Sequence, residues 1–196
     1  IIREQEGKTK YIGGGEESFG YLPGDFVRDK DGVAAITLVA EAAAWARETM
    51  GITLYEWLQQ LYVKYGFFRE GLVNVVRKGK DGAAEIQQMM VDYRQNPPKS
   101  ILGSEVVKIY DYKTLEVLDV KSGTKSPIEG VEDKSNVLQW LTEDGTKVSV
   151  RPSGTEPKIK FYFGVKAPLC CVEKFDEVQA ALDKKIEDIK AELNLL

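Results

Sequence analysis

The sequence predicts an α/β plus α+β fold class, an α/β domain followed by a C-terminal antiparallel sheet backed by helices. Before the double proline Pro97-Pro98, long helical segments are mixed with a few strands. After it come short segments of alternating apolar and polar residues, and then one long amphipathic segment. A sheet with one apolar face and a helix with one apolar stripe bury each other as two layers. The double proline therefore divides the 196 residues into domains 1–98 and 99–196, each large enough for a small core.

The first domain carries clear helix and strand signals. The predicted elements are a strand over 10–14, helices over 31–51 and 53–66, a strand over 72–78 and a helix over 81–95. Asp31 and Asp81 are candidate N-caps, because a short carboxylate accepts hydrogen bonds from the free N–H groups of a first turn. Thr53 and Glu56 have the spacing of a capping box. The last helix must stop before the prolines, since proline disfavours helical geometry in the residue ahead of it.

The second domain reads as strands and one helix. The predicted strands are 105–112, 115–120, 136–142, 146–151 and 158–165. Asp144-Gly145 has the chemistry of a hairpin turn. In the last segment apolar residues recur every three or four positions, which predicts a helix with one buried face. These residues are Val172, Phe175, Val178, Leu182, Ile186, Ile189 and Leu193.

The composition excludes several classes of function. With 27 basic and 31 acidic residues and a net charge of −4, the chain does not resemble a nucleic-acid-binding protein. It has no histidine, which removes the commonest general base and metal ligand. Cys170 and Cys171 fit no zinc spacing, so no metal site is predicted, and unpaired thiols indicate a reducing, cytoplasmic location. No apolar run approaches the ~20 residues of a membrane helix, so no membrane contact is expected. The chain begins Ile1-Ile2-Arg3 and is expected to be a piece of a longer protein.

Two predicted strands are joined by an unusually long loop, Pro152–Pro157. Arg151 ahead of it offers a planar donor fork that matches a phosphate, and Lys158 behind it offers a point charge. Between them Ser153 and Thr155 supply hydroxyls, and Gly154 leaves backbone N–H groups open to an anion. These residues could form a phosphate cradle. They could equally form a stiff surface hairpin whose polar side chains are merely solvated, and composition alone leaves both interpretations open.

A second polar loop follows Gly13-Gly14-Gly15. Its residues Glu16, Glu17 and Ser18 could hydrogen-bond sugar hydroxyls, because a carboxylate accepts from two neighbouring hydroxyls and a serine donates or accepts. The alternative is a solvated acidic pair in a glycine-rich turn, and so short a motif favours that alternative when taken alone.

Both loops resemble motifs of one family. RPSGTEPKIKFYF, residues 151–163, closely resembles the C-terminal phosphate-binding loop of the α-D-phosphohexomutases, the phosphoglucomutase and phosphomannomutase superfamily. GGGEESFGY, residues 13–21, resembles the sugar-recognition loop of that superfamily, and DKDGVAAITLVAE, residues 29–41, resembles the helix start that follows it. Phe19 departs from the pattern, which usually has glycine after the serine.

The resemblance implies a role for each matching residue. Glu16 and Ser18 would bind the sugar hydroxyls. The substrate phosphate would be held at the loop between Arg151 and Lys158, where Lys158 adds its charge and the residues that match the family are Arg151, Ser153, Gly154 and Thr155. It also implies that residues 1–98 are the latter part of a third, sugar-recognising α/β domain. Residues 99–196 would then be the C-terminal domain, which resembles the TATA-box-binding protein in fold.

For the intact protein the resemblance implies an isomerase. Such an enzyme moves a phosphate between the 1- and 6-positions of glucose or mannose through a phosphoserine and a sugar 1,6-bisphosphate. The phosphoserine and the Mg²⁺ ligands would lie in missing N-terminal domains, so this chain alone is expected to be inactive. Its partners would be those domains and a phosphorylated sugar.

Three alternatives remain open. The long segment GYLPGDFVRDKDGV, residues 20–33, looks more like the branch that contains phosphopentomutases and sugar-bisphosphate synthases. The chain could also be a non-catalytic module that binds sugar phosphates, or a purely structural α+β module.

Overall fold

The protein, seen in a computed structural model, is described over residues 7–16, 20–26, 29–77, 79, 81–154 and 156–195. It divides into two compact units, Ile1–Leu61 and Tyr62–Leu196. Within the described ranges, no helix combines the length and the apolar content that crossing a bilayer requires.

The first unit contains a small hairpin and helices. Strand β1 (Gly14–Gly15) pairs antiparallel with β2 (Tyr21–Leu22). The helices are α1 (Gly32–Met50) and α2 (Leu54–Tyr65), and α2 runs across the division between the units. The strand predicted over 10–14 is reduced to the two glycines of β1, while Tyr11 ahead of them donates its hydroxyl hydrogen bond to the carbonyl of Leu22 over 3.2 Å.

The caps of α1 and α2 are those that the sequence predicts. The Asp31 carboxylate accepts a hydrogen bond of 2.9 Å from the N–H of Val33, and Gly51 ends α1 in the left-handed region at φ 70°. Ahead of α2, the N–H of Thr53 donates to the Glu56 carboxylate over 2.7 Å, and the N–H of Glu56 donates back to the Thr53 hydroxyl over 3.2 Å. The bonds from Thr53 hold the pKa of Glu56 below its ordinary value.

The second unit is an antiparallel sheet with the strand order β3-β10-β9-β8-β5-β6-β7, and β4 pairs with β5. The strands are β3 (Phe67–Val76), β4 (Ser100–Ile101), β5 (Ser104–Asp111), β6 (Glu116–Asp119), β7 (Lys125–Pro127), β8 (Leu138–Thr142), β9 (Lys147–Pro152) and β10 (Lys158–Ala167). Its helices are α3 (Gly82–Gln95) and α4 (Phe175–Glu192), and a 3₁₀ turn, Val172–Lys174, leads into α4. Asp81 precedes α3 but makes no side-chain cap bond, so that predicted cap is wrong.

One face of the sheet is buried under the helices. Along β10, Ile159, Phe161, Phe163 and Val165 are each at most 2% exposed, and the residues between them are more accessible. The core also takes in one side of α3 and of α4, through Ile86, Met90, Phe175, Leu182, Ile186 and Ile189. The antiparallel sheet backed by helices is therefore confirmed. Val172 departs from the predicted stripe, because it lies in the 3₁₀ turn and is 37% exposed.

The boundary between the two units, after Leu61, lies earlier in the chain than the double proline Pro97-Pro98. Strand β3 pairs with β10 along its whole length, from Phe67 opposite Ala167 to Val76 opposite Lys158. Helix α3 places Met90 in the same core. Ladder hydrogen bonds and shared burial thus join β3 and α3 to the residues after Pro98, although the composition of the sequence changes at the prolines.

An ion pair between Asp144 and Lys185 links the turn between β8 and β9 to helix α4. The Asp144 carboxylate accepts hydrogen bonds from the Thr142 hydroxyl over 2.5 Å, the Thr146 N–H over 3.0 Å and the Lys185 ammonium over 2.6 Å. Burial disfavours the charged carboxylate, but the bonds from Lys185 and Thr142 outweigh it and hold the pKa of Asp144 well below its ordinary value of 3.8.

Replacing Asp144→Asn is expected to lower the free energy of unfolding at pH 7 by about 1 kcal/mol, the net value of one hydrogen-bonded charge at a partly exposed site. Because the pKa is lowered in the folded state, this stabilisation is complete above the ordinary pKa of 3.8 and is lost as the pH falls below it. Urea unfolding at pH 7 and pH 3 measures the difference. Asp133→Asn, at an exposed loop acid, is the control, and an equal loss at both pH values for Asp144→Asn would contradict the assignment.

Candidate functional site

The loop between β9 and β10 is held at both ends by backbone hydrogen bonds. The N–H of Ser153 donates to the carbonyl of Lys158 over 2.8 Å, and the N–H of Lys158 donates to the carbonyl of Glu156 over 2.7 Å. From the other side, the N–H of Arg77 at the end of β3 donates to the carbonyl of Pro157 over 3.0 Å. These bonds and the two prolines hold the two ends of the loop, which lowers the cost of ordering those ends when a ligand binds.

A polar cavity of about 280 Å³ opens at this loop. Its lining residues are Arg151, Pro152, Ser153, Gly154, Lys158 and Lys160. The cavity is slightly smaller than the usual size range of ligand pockets, which suits a small group such as a phosphate. Three of the lining side chains are cationic, and such a cluster focuses positive potential where an anion can enter.

The side chains that form this cluster share one face of the sheet. On β10, Ile159 and Phe161 point into the core at 0% exposure, so Lys158 and Lys160, which alternate with them along the strand, point to the opposite face. The register places Lys160 directly opposite Arg151 on β9. Cross-strand partners lie ~5 Å apart at their Cβ atoms, which brings the guanidinium and the ammonium within reach of one anion.

Four residues of the predicted phosphate loop line this cavity together: Arg151, Ser153, Gly154 and Lys158. Thr155, the fifth, lies outside the described residues. Lys160 lines the cavity as well and was not among the predicted site residues. The alternation Lys158-Ile159-Lys160 within a strand carries the signal that could have found it, since residues two apart share a face.

An acidic residue in the loop already pairs with one of the cations. The carboxylate of Glu156 forms an ion pair with the ammonium of Lys158, and 58% of the Glu156 side chain is exposed. The hydrogen bond from Lys158 lowers the pKa of Glu156, so Glu156 is charged at neutral pH. A phosphate that enters the cavity must therefore compete with this carboxylate for Lys158.

In the first unit, Glu16 lies directly after β1. Its N–H donates to the carbonyl of Gly20 over 2.9 Å, and its carboxylate pairs with the ammonium of Lys30 over 3.1 Å. The hydrogen bond and charge of Glu16 raise the pKa of Lys30. Glu16 is thus held in place by the residues that precede α1, while Ser18, the other predicted sugar-binding residue, lies outside the described residues.

No metal site accompanies these loops in the part of the chain that the structure describes. That part brings together no group of three or more Cys, Asp or Glu side chains that could hold an ion.

Two family models match the chain in sequence order. Residues 1–65 match the phosphoglucomutase/phosphomannomutase alpha/beta/alpha domain III, and residues 72–177 match the phosphoglucomutase/phosphomannomutase C-terminal domain. The chain belongs to the phosphoglucomutase/phosphomannomutase family. The cavity at Arg151 lies within the matched C-terminal domain of the family, and Glu16 lies within its matched domain III.

Curated relatives agree with this membership. The phosphoglucomutase of Staphylococcus aureus strain MRSA252 is 37% identical over 185 residues, which are 94% of this chain and 32% of the relative. The phosphoglucomutase of strain MSSA476 is 36% identical with the same coverage. The chain thus spans about a third of the length of these relatives.

A solved structure shares the fold. It is the open form of the exocytosis-sensitive phosphoprotein pp63/parafusin, a phosphoglucomutase from Paramecium, which matches with a TM-score of 0.51 over 91% of this chain and 31% of the other. The identity is 16%, so this likeness concerns the fold alone.

Proposed function

We propose that this chain is the C-terminal substrate-binding part of a phosphoglucomutase/phosphomannomutase, and that the loop between β9 and β10 grips the phosphate of a sugar phosphate. The observation that carries the proposal is the cavity itself. It combines Arg151, Lys158 and Lys160 with Ser153 and the exposed Gly154, on a loop whose ends are held by backbone hydrogen bonds.

Each group has a distinct task in this grip. The guanidinium of Arg151 donates two parallel hydrogen bonds to phosphate oxygens, while Lys158 and Lys160 act as point charges. Ser153 adds a hydroxyl donor, and Gly154 leaves its backbone N–H accessible. A charge-assisted hydrogen bond is worth about 1.5–3 kcal/mol, so three or four of them leave, after ordering costs, enough for sub-millimolar binding of a phosphate monoester.

The sugar hydroxyls bind at the loop that follows β1. Glu16 accepts hydrogen bonds from the sugar hydroxyls, and Ser18 joins it. Lys30 supports this role, because its ion pair with Glu16 fixes the direction of the carboxylate. Each loop binds its own part of the substrate, the phosphate at one and the hydroxyls at the other, and the transfer chemistry belongs to other domains of the intact protein.

The intact protein would be an isomerase of the cytoplasm. It would interconvert a sugar 1-phosphate and a sugar 6-phosphate, of glucose or mannose, through a phosphoserine and a sugar 1,6-bisphosphate. The phosphoserine and Mg²⁺ would be held by its N-terminal domains. The loop between β9 and β10 would bind the phosphate that does not react, and the two ends of the bisphosphate would occupy this position in turn. This role positions the substrate and is not chemical catalysis. The chain alone would therefore bind sugar phosphates without turning them over.

An NMR titration of this chain with glucose 1,6-bisphosphate, and with inorganic phosphate as control, tests the proposal. The amides of residues 151–156 are expected to shift at sub-millimolar concentrations of either ligand. The amides of residues 15–20 should follow only with the sugar bisphosphate. If the amides of 151–156 stay unmoved with both ligands, the loop is a stiff hairpin and the proposal fails.

Replacing Glu156→Gln is expected to tighten binding of inorganic phosphate about two- to fivefold, because it removes the carboxylate that competes for Lys158 at an exposed site. Isothermal titration calorimetry at low salt measures the affinity. Glu129→Gln, the same change at an exposed loop position after β7, is the control and should leave the affinity unchanged. Equal affinities for wild type and Glu156→Gln would show that Lys158 does not contact the phosphate.

A further inference from the structure

The two cysteines of the chain lie side by side in the segment that joins β10 to α4. Their sulfur atoms are 3.5 Å apart. Cys170 is exposed and Cys171 is partly exposed. Successive side chains of a pleated strand point to opposite faces. The two sulfurs meet because residues 168–171 belong to no regular element and the backbone turns there into the 3₁₀ turn.

The pair is a dithiol rather than a disulfide. A disulfide bond requires a sulfur–sulfur distance of about 2.0 Å, and neighbouring residues reach it only with strain. The observed 3.5 Å instead leaves space for one further atom between the sulfurs. An atom bonded to both at the ~2.3 Å of metal–thiolate bonds separates two sulfurs by roughly 3–4 Å. The reduced pair is thus already spaced for a bidentate ligand.

The surroundings of the pair favour chelation over reactions of a single thiolate. The hydrogen bond between Cys171 and the Glu173 carboxylate, and then the neighbouring Cys170, raise the pKa of the Cys171 thiol. A protonated thiol is a slow nucleophile toward peroxides and disulfides. A ligand that replaces both protons at once gains from the second bond, because after the first bond the other sulfur acts at high effective concentration.

The number of donors selects the kind of ligand. Within the described residues the pair is not part of any group of three or more Cys, Asp or Glu side chains suited to a metal ion. A tetrahedral zinc site would need four ligands. A pair of thiols, which are soft donors, suits a soft, polarisable atom that carries two ligands which the sulfurs can replace.

We propose that Cys170 and Cys171 form a bidentate binding site for trivalent organoarsenicals, R–As(OH)₂. Two S–H bonds and two As–O bonds break, two As–S bonds form, and two molecules of water leave. Arsenic and sulfur keep their oxidation states, so the step needs no oxidant or reductant. The site lies outside the phosphate cavity, whose lining residues include neither cysteine.

Titrating the reduced 196-residue chain with phenylarsine oxide, which hydrates to phenylarsonous acid, tests this site. Intact-mass spectrometry should show one phenylarsenic group per chain, and both free thiols should disappear together. An excess of a small dithiol should reverse the adduct, while the same concentration of a monothiol should not. Two phenylarsenic groups per chain, or one remaining free thiol in the adduct, would overturn the proposal.

Single variants Cys170→Ser and Cys171→Ser separate chelation from binding to one thiol. Each is expected to weaken binding about 100-fold or more, since each removes one of the two As–S bonds. Circular dichroism melting checks that the variants are folded, and the exposure of the pair makes a loss of fold unexpected. Variants that are folded and bind as tightly as the wild type would contradict the bidentate site.

Discussion

Replacing Arg151→Ala in the intact enzyme is expected to raise KM sharply and to lower kcat/KM by about one to three orders of magnitude. The reason is the loss of the planar donor fork of Arg151, which on the proposed function would hold two phosphate oxygens at once. Lys158 and Lys160 remain, but they are point charges on flexible stems and cannot restore the bidentate geometry. Steady-state kinetics with glucose 1-phosphate and mannose 1-phosphate, each at saturating bisphosphate, measure the effect.

Two further variants separate the fork from its charge. Arg151→Lys keeps the charge and is expected to recover only part of the loss. Lys147→Ala, at the opposite end of β9, removes an exposed cation of the same strand and should leave kcat/KM unchanged. Because Arg151 is exposed, its loss should leave the melting temperature of this chain unaltered. Wild-type kinetics for Arg151→Ala would remove the loop from the site.

A second large effect is expected in the core of the second unit, where Gly82→Ala should lower the free energy of unfolding by about 1–3 kcal/mol. Gly82 is the first residue of α3 and is buried. A Cβ atom there would overlap the backbone carbonyl oxygen of Arg77, which cannot turn aside as the end of a flexible side chain could. Relief requires α3 to shift, and that shift would disturb the packing of Ile86 and Met90.

Gly32→Ala is the matched control, because Gly32 is likewise the first residue of a helix but a Cβ atom there meets nothing within 4 Å. It should be neutral or stabilising by up to about 1 kcal/mol, since alanine loses less backbone entropy on folding. Urea unfolding followed by circular dichroism measures both variants. A Gly82→Ala protein as stable as Gly32→Ala would show that α3 is not packed against Arg77.

Local signals predicted the elements well where the cause is itself local. Asp31 and the pair Thr53 and Glu56 cap their helices as expected, because the bonding groups lie within three residues of one another. The failed cap at Asp81 shows the limit of that reasoning. Asp81 has helical backbone angles, φ −94° and ψ −6°, so it lacks the extended geometry that turns a cap side chain toward the first turn.

Strand pairing between residues far apart in the chain was harder to predict from the sequence. The strand predicted over 72–78 gives no sign of its partner, and only the structure shows that β3 lies at the edge of the C-terminal sheet. Lys160 was missed for a different reason: its signal is local, because it lies two residues after Lys158 on one strand and opposite Arg151 across the β9–β10 hairpin, but the alternation was not used. Trp45 in α1 is 49% exposed, and its ring is tilted by 40° relative to that of Trp57, with 5.3 Å between the ring centroids.

The pairing of β3 with β10 also determines when this unit can fold during synthesis. Partners such as Val76 with Lys158 and Phe67 with Ala167 are about 80 to 100 residues apart in the chain, so their contact closes a very long loop. A ribosome adds roughly 5–20 residues per second, so β10 is synthesised several seconds after β3. During that time the apolar residues of β3 are exposed and can pair with other nascent chains, which is the kind of association that chaperones prevent.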